Sequence, residues 1–245
     1  MSSDLKVTNI KHASSGSNNL VLASDGIVTM ASGNGYRLNS VQVFTTNGAN
    51  TWTKPANVNA VLVYVTGGGG GGGGGDASFN HGGGGHGAGT AIKWITSGLG
   101  ATETATVGAE GTGASPGNEG SAGGTSSFGS HCTATGGGGG RYGTQVAEYT
   151  SPGSASGVGS TGIAISGGYG GGHHPNDIEG QGQGGNGGAS FWGGGGGSSH
   201  EWNPFYAKAG LAYGSGGGGG HHNNSTYGSG KDGKSGIIVV WEYVG

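Results

Sequence analysis

The chain has 245 residues, of which 68 are glycine, more than a quarter of its positions against roughly 7% in ordinary proteins. Hydrophobic residues make up only 31% and charged residues 9%, with a net charge of -3. This excludes a conventional apolar core along the whole length, a basic stripe for nucleic acid and a polyacidic tail. The single cysteine, Cys132, excludes a disulfide within the chain, and no stretch approaches the roughly 20 apolar residues of a membrane helix.

Residues 1–40 differ from the rest. They open MSSDLKVTNIKHASSG, without the apolar run of a cleaved secretion signal, which points to synthesis in a cytoplasm. Short apolar stretches lie at 5–10, 20–22 and 26–30, with turns at Asn18-Asn19 and Ser24-Asp25-Gly26. This piece is too small and too polar to fold alone and is expected to pair with copies of itself or with a larger assembly. Residues 41–245 read as a second unit. Strand signals fall at 41–45 and 51–53, with Pro55 marking a turn, and then at 60–66, a β-branched run (AVLVYVT) that ends in glycine. Residues 90–95 (TAIKWI) and 103–107 (ETATV) alternate more weakly, and 236–244 (GIIVVWEYV) is the closing strand. No amphipathic helix is visible. Together these segments predict a small antiparallel β-sheet.

Glycine falls in separate runs at 67–75, 82–85, 136–140, 170–172, 193–197 and 216–220. A flexible linker has no reason to keep returning to short runs, nor to space them with Phe191, Trp192, Trp202, Phe205 and Tyr206. Ordering glycine is costly in backbone entropy, so something must offset the loss. A polyproline II conformation supplies it: three residues per turn, no internal hydrogen bonds, and N–H and C=O groups pointing outward in three directions. Lacking Cβ atoms, such helices approach closely and bond one another. The predicted fold is therefore mainly β and irregular, with packed polyglycine II helices capped by the small antiparallel sheet. Side chains at core glycines such as Gly138 or Gly195 are expected to be intolerable.

Motifs for chemistry are weak. Residues 228–235 (GSGKDGKS) satisfy the P-loop pattern, but a polar loop precedes them and a strand follows, where a phosphate cradle needs strand before and helix after. His81, His86, His173, His174, His200, His221 and His222 lie between glycine runs. Their spacing matches no metal motif, and no cofactor is expected. Asp76, Glu148, Asp177, Glu179 and Glu201 occupy candidate loops, but nothing pairs two of them for glycoside cleavage. Aromatic and histidine-rich loops suit binding better than catalysis.

The run VFTTNGANTWTKPANVNAVLVYVTGGGGGGGGG resembles the opening of the glycine-rich domain at the C-terminus of many phage tail fibres. There an aromatic, a Trp-Thr-x-Pro turn and an alternating strand lead into polyglycine; here these are Phe44, Trp52 to Pro55 and Val61 to Val65. GGTSSFG at Gly123 to Gly129 and the closing GIIVVWEY are similar to its later landmarks. The N-terminal LKVTNIKHASSGSNNLVLASDGIVT is similar to virion-attachment segments of structural proteins from aquatic phages. More distantly, the runs resemble the tip adhesins of T-even-like phages, which implies a sandwich of polyglycine II helices with receptor-contacting loops at one end. The resemblance implies a non-enzymatic receptor-binding protein at a tail fibre tip in the virion, attached through residues 1–40 to other virion proteins and acting as a homotrimer. Its partner would be a bacterial surface protein or glycan; neither nucleic acid binding nor membrane insertion is expected. Specificity is expected in the most polar and irregular connecting segments, at His173, His174, Trp202, Tyr206, His221 and His222. The alternative is a purely structural virion protein such as a capsid fibre or decoration protein.

Overall fold

The computed structural model describes residues 9–10, 20–22, 28–30, 35–75, 81–142, 155–156, 162–172, 183–199, 207–223 and 226–245. Among them there is no helix. Near the N-terminus, β1 (Asn9–Ile10), β2 (Leu20–Leu22) and β3 (Val28–Met30) pair in that order into an antiparallel sheet. The principal strands follow: β4 (Arg37–Phe44), β5 (Gly48–Thr53), β6 (Ala60–Thr66), β7 (Thr90–Ile95) and β8 (Thr102–Val107). Shorter ones are β9 (Ser126–Phe128), β10 (Cys132–Ala134), β11 (Ala155–Ser156), β12 (Gly162–Ile165), β13 (His222–Asn223) and β14 (Thr226–Tyr227). The chain closes with β15 (Ile237–Val244).

One expectation is corrected. The strands form two five-stranded antiparallel sheets, not one small sheet: β12-β7-β6-β15-β4, and β11-β10-β9-β8-β5. Their inner faces meet in a compact apolar core that includes Val61, Val63, Val65, Ile238 and Val240 from the first sheet and Trp52, Ala105, Val107, Phe128 and Cys132 from the second. The period of two along each strand sends alternate residues inward. The three sequence landmarks converge here. Trp52 stacks edge-on against Phe128 with ring centroids 5.5 Å apart, and its indole N–H donates to the Glu242 carboxylate at 2.7 Å. Glu242 is fully buried and also accepts hydrogen bonds from the Gln42 amide at 2.5 Å and the Ser40 hydroxyl. β4 begins at Arg37 and pairs along the length of β15, so the sandwich includes residues from Arg37 onward.

The glycine-rich segments extend from one end of this sandwich. β6 runs straight into residues 67–75, every one of which is buried. Their hydrogen bonds follow a three-residue period. The amides of Gly68, Gly71 and Gly74 donate to the carbonyls of Gly124, Ser121 and Asn118; those of Gly69, Gly72 and Gly75 to Lys234, Lys231 and Gly228; those of Gly67, Gly70 and Gly73 to Gly89, His86 and Gly83. All three of these neighbours run antiparallel to the central run. Its carbonyls accept from three parallel neighbours: Gly137 and Gly140; Gly111, Ala114 and Gly117; Gly217 and Gly220. The central run thus has six hydrogen-bonded neighbours. Residues 214–221 are enclosed in the same way, bonding to 67–75, 82–89, 184–189, 193–199, 207–210 and 228–236.

Close approach explains the absence of side chains. A Cβ on Gly70 would lie 2.0 Å from the Gly138 carbonyl oxygen, on Gly71 2.0 Å from that of Thr112, and on Gly72 2.1 Å from that of Gly218. Three consecutive residues therefore face three different segments. Gly195 is equally tight, with its Cβ position 2.1 Å from the Gly187 oxygen. At the periphery the rule relaxes with the same period: Ala109, Thr112 and Ser115 are exposed, while Gly108, Gly111 and Ala114 face inward. Ser126 joins the two parts of the molecule. Its hydroxyl donates to the Thr66 carbonyl at 2.7 Å and accepts from the Gly108 amide at 2.9 Å.

Candidate functional site

Each lattice segment has one end at the sandwich and one at the opposite pole, because the strands feed it from one side only. Gly75, Gly117 and Gly228 meet at that far pole, where the Gly75 amide reaches the Gly228 carbonyl and the Gly117 amide the Gly75 carbonyl. So do Gly184, Ser199 and Gly219, linked by the Gly184 and Ser199 amides. The connections after Gly75, Tyr142, Gly172, Ser199 and His221 all depart at this pole. By contrast Gly35 and Gly245, beside each other through Tyr36, lie at the outer end of the sandwich.

His173, His174, Trp202 and Tyr206 lie outside the described residues, as do Asp76, Glu148, Asp177, Glu179, His200 and Glu201. The described residues that precede them, Gly171-Gly172 and Ser199, end lattice segments at the far pole. His222 starts β13 there, paired with Tyr227 of β14. His221 is fully buried, stacked on the buried His81 with ring centroids 4.9 Å apart. It sits in the base of the pole instead of on its surface. Nearby the pole carries the turn at Pro116-Gly117, the exposed Glu119–Arg141 ion pair at 3.8 Å, and Gln183 donating to the Ser198 hydroxyl at 3.0 Å. Phe191 and Trp192 belong to the other end. They cluster with Tyr64 of β6, and the Trp192 indole N–H donates to the Thr66 hydroxyl at 2.8 Å.

Chemical alternatives can be read from the same geometry. Among the described residues no three His, Cys, Asp or Glu side chains are placed to hold a metal ion. In the segment 228–235 the amides of Gly230, Lys231, Gly233 and Lys234 donate to Ala114, Gly218, Gly111 and Ser215. With its N–H groups engaged in the lattice and β15 following, it has no phosphate cradle. The Cys132 thiol is buried in the sandwich, and desolvation pushes its pKa up to about 11 despite the Lys93 charge. Among the described residues no helix is long and apolar enough to cross a membrane.

Among the described residues, His86 is a titratable inner group of the lattice with a resolved shift. It is buried, its Nδ1 accepts the Gly170 amide at 2.9 Å, and desolvation lowers its pKa from 6.5. A depressed folded pKa means that the unfolded chain takes the proton first. Its contribution to stability is complete above about pH 6.5 and is lost as pH falls toward the folded value. The melting temperature should therefore drop between about pH 7.5 and pH 5.5, and drop less in His86→Asn. Parallel pH dependences in the two proteins would contradict this.

A two-sheet sandwich continued by a hydrogen-bonded glycine lattice, with its long connections gathered at one pole, defines a glycine-rich scaffold domain. The chain belongs to the family described as "Glycine-rich domain", whose model matches residues 45–243. A search of curated proteins finds no match to the chain.

Proposed function

We propose that this protein is a bacteriophage receptor-binding protein, carried at a tail fibre tip, that recognises the host surface through the segments at the far pole of its lattice. The observation that carries the reading is polarity: the connections after Gly75, Tyr142, Gly172, Ser199 and His221 leave the lattice at one pole, and Gly35, which leads into β4, lies at the other. A fibre tip needs that arrangement, with attachment to the virion behind and recognition in front. The three-residue hydrogen-bond period and alternating polarity of the neighbours favour a polyglycine II conformation for the lattice. At about 3.1 Å per residue the nine central glycines then span about 28 Å. Such a scaffold encodes no specificity itself, so recognition falls to the connecting segments, as is usual for loops on a rigid frame. The resemblance to tail fibre domains supports the same reading, with homotrimers attached through the N-terminal segment and binding instead of catalysis at the tip.

His173, His174, Trp202, Tyr206 and His222 are the proposed contacts; His221, being buried, supports the hairpin that carries His222. Purified protein should compete with phage for adsorption to host cells. Trp202→Ala should weaken binding by about 2 kcal/mol or more, close to thirtyfold, with an unchanged melting temperature. Normal adsorption by well-folded alanine variants at all five positions would place recognition elsewhere, and absence of competition by the wild-type protein would sink the adhesin reading.

A further inference from the structure

Asparagine is one of the chemically labile residues, and a following glycine leaves it most open to attack by the main chain, because no Cβ stands beside the attacking amide nitrogen. Two such pairs lie wholly within the described residues, Asn47-Gly48 and Asn186-Gly187; a third, Asn34-Gly35, begins outside them. The fold treats the first two in opposite ways. Asn186-Gly187 is part of the lattice. The Gly187 amide donates to the Gly196 carbonyl at 2.8 Å, and the Asn186 carbonyl accepts from the Gly171 amide at 2.7 Å. The Asn186 side-chain oxygen accepts from the Ser198 amide at 2.9 Å. A Cβ at Gly187 would lie 2.0 Å from the Gly216 carbonyl oxygen, so the backbone has no room to turn. Asn47-Gly48 ends the turn between β4 and β5, and both residues are exposed. Gly48 pairs with Val107 on the last rung of its ladder, where strands fray. Its φ is +93°, and nothing lies within 4 Å of its Cβ position. The Asn47 side-chain amide donates to the Glu110 carboxylate at 3.1 Å, an exposed contact.

We propose that Asn47 is a site of spontaneous deamidation, a slow covalent change that the fold permits here and suppresses at Asn186. The Gly48 amide nitrogen attacks the Asn47 side-chain carbonyl carbon. A C–N bond forms, the bond to the side-chain nitrogen breaks, and that nitrogen leaves as ammonia with the proton lost by the Gly48 amide. Water then opens the succinimide ring at either carbonyl, giving aspartate or isoaspartate. The position gives the change a consequence. Glu110 belongs to the lattice segment 108–117, so its bond to Asn47 ties the β4–β5 turn to the lattice. The Glu110 carboxyl is held below its usual range, first by its own backbone amide and then by the Asn47 amide. Deamidation removes the second donor and sets a new carboxylate against Glu110, where like charges repel. Isoaspartate also adds a methylene to the main chain, which lengthens the link from the first sheet to the second. The proposal is independent of what the far pole binds.

The test is incubation of the full chain in warm, mildly alkaline buffer, sampled over days. Peptide mapping by mass spectrometry then resolves asparagine, aspartate and isoaspartate, and cleavage at Arg37 separates Asn47 from Asn34. The same chain held unfolded in guanidinium gives the intrinsic rate of each pair, which should be similar for Asn47 and Asn186 because glycine follows both. In the folded chain Asn47 should convert close to its unfolded rate. Asn186 should slow by about tenfold or more, because ring closure there waits for the lattice to open. Asn47→Gln keeps the amide but disfavours the five-membered ring, and should stay intact at that position. Equal slowing of Asn47 and Asn186 on folding, or an Asn47 that stays intact while the unfolded chain converts, would overturn the proposal.

Discussion

Gly72→Val should abolish folding. The added Cβ would lie 2.1 Å from the Gly218 carbonyl oxygen and 3.0 Å from the Gly219 amide nitrogen, both of them backbone. No side chain stands there to rotate away. Relief requires the segment 214–221 to move, and that segment is itself held by six neighbours. Displacing it breaks hydrogen bonds worth about 1 kcal/mol each and leaves their groups buried without partners. The loss should exceed about 5 kcal/mol, comparable to the whole stability of many domains. Gly197→Val is the control, since a Cβ at Gly197 meets nothing within 4 Å. Soluble yield and thermal melting should separate the two, and a Gly72→Val protein melting like wild type would refute close packing of the lattice.

The second large effect is expected in the sandwich. Glu242→Ala removes an acceptor shared by Trp52, Gln42 and Ser40, and it opens a hole beneath the Trp52 ring. Three donors on two strands, β4 and β5, lose their common partner. A loss of about 3–5 kcal/mol follows from donors left unsatisfied plus cavity. Glu242→Gln keeps one carbonyl oxygen and should recover part of it. The exposed Glu119, paired only with Arg141 at the surface, should change stability by less than about 0.5 kcal/mol when replaced by alanine. Chemical denaturation of the three variants would order them, and equal stability of Glu242→Ala and wild type would show the network to be dispensable.

Much of this was legible in sequence because strong local signals survive the tertiary context. The β-branched run at 60–66 and the closing run are β6 and β15, adjacent at the centre of one sheet. The longest glycine run is a fully enclosed segment, since only full enclosure forbids a side chain at every position. Less was legible where pairing decides. β9 and β10 are three residues each, too short for a period, and their place in a second sheet comes from β8 and from Phe128 packing on Trp52. The three-residue spacing of Ala109, Thr112 and Ser115 was an available sign of a lattice segment with one face to solvent. At the far pole, glycine spacing located the connections, but His221 looked no different from His222 in sequence. Burial against His81 is a long-range fact.

The central run also fixes the order of events when the chain is made. Residues 67–75 leave the ribosome well before their neighbours 217–220 and 228–234. A glycine segment with some neighbours missing gains too few bonds to offset its lost freedom, so the lattice has no stable half-built form. Its assembly waits for β15 and joins residues more than 150 positions apart, a topology that folds slowly. The same interlocking slows the reverse reaction, since no segment can leave the centre without its surroundings. Such a protein persists through the height of its unfolding barrier, and its endurance is measured as a lifetime instead of an equilibrium constant.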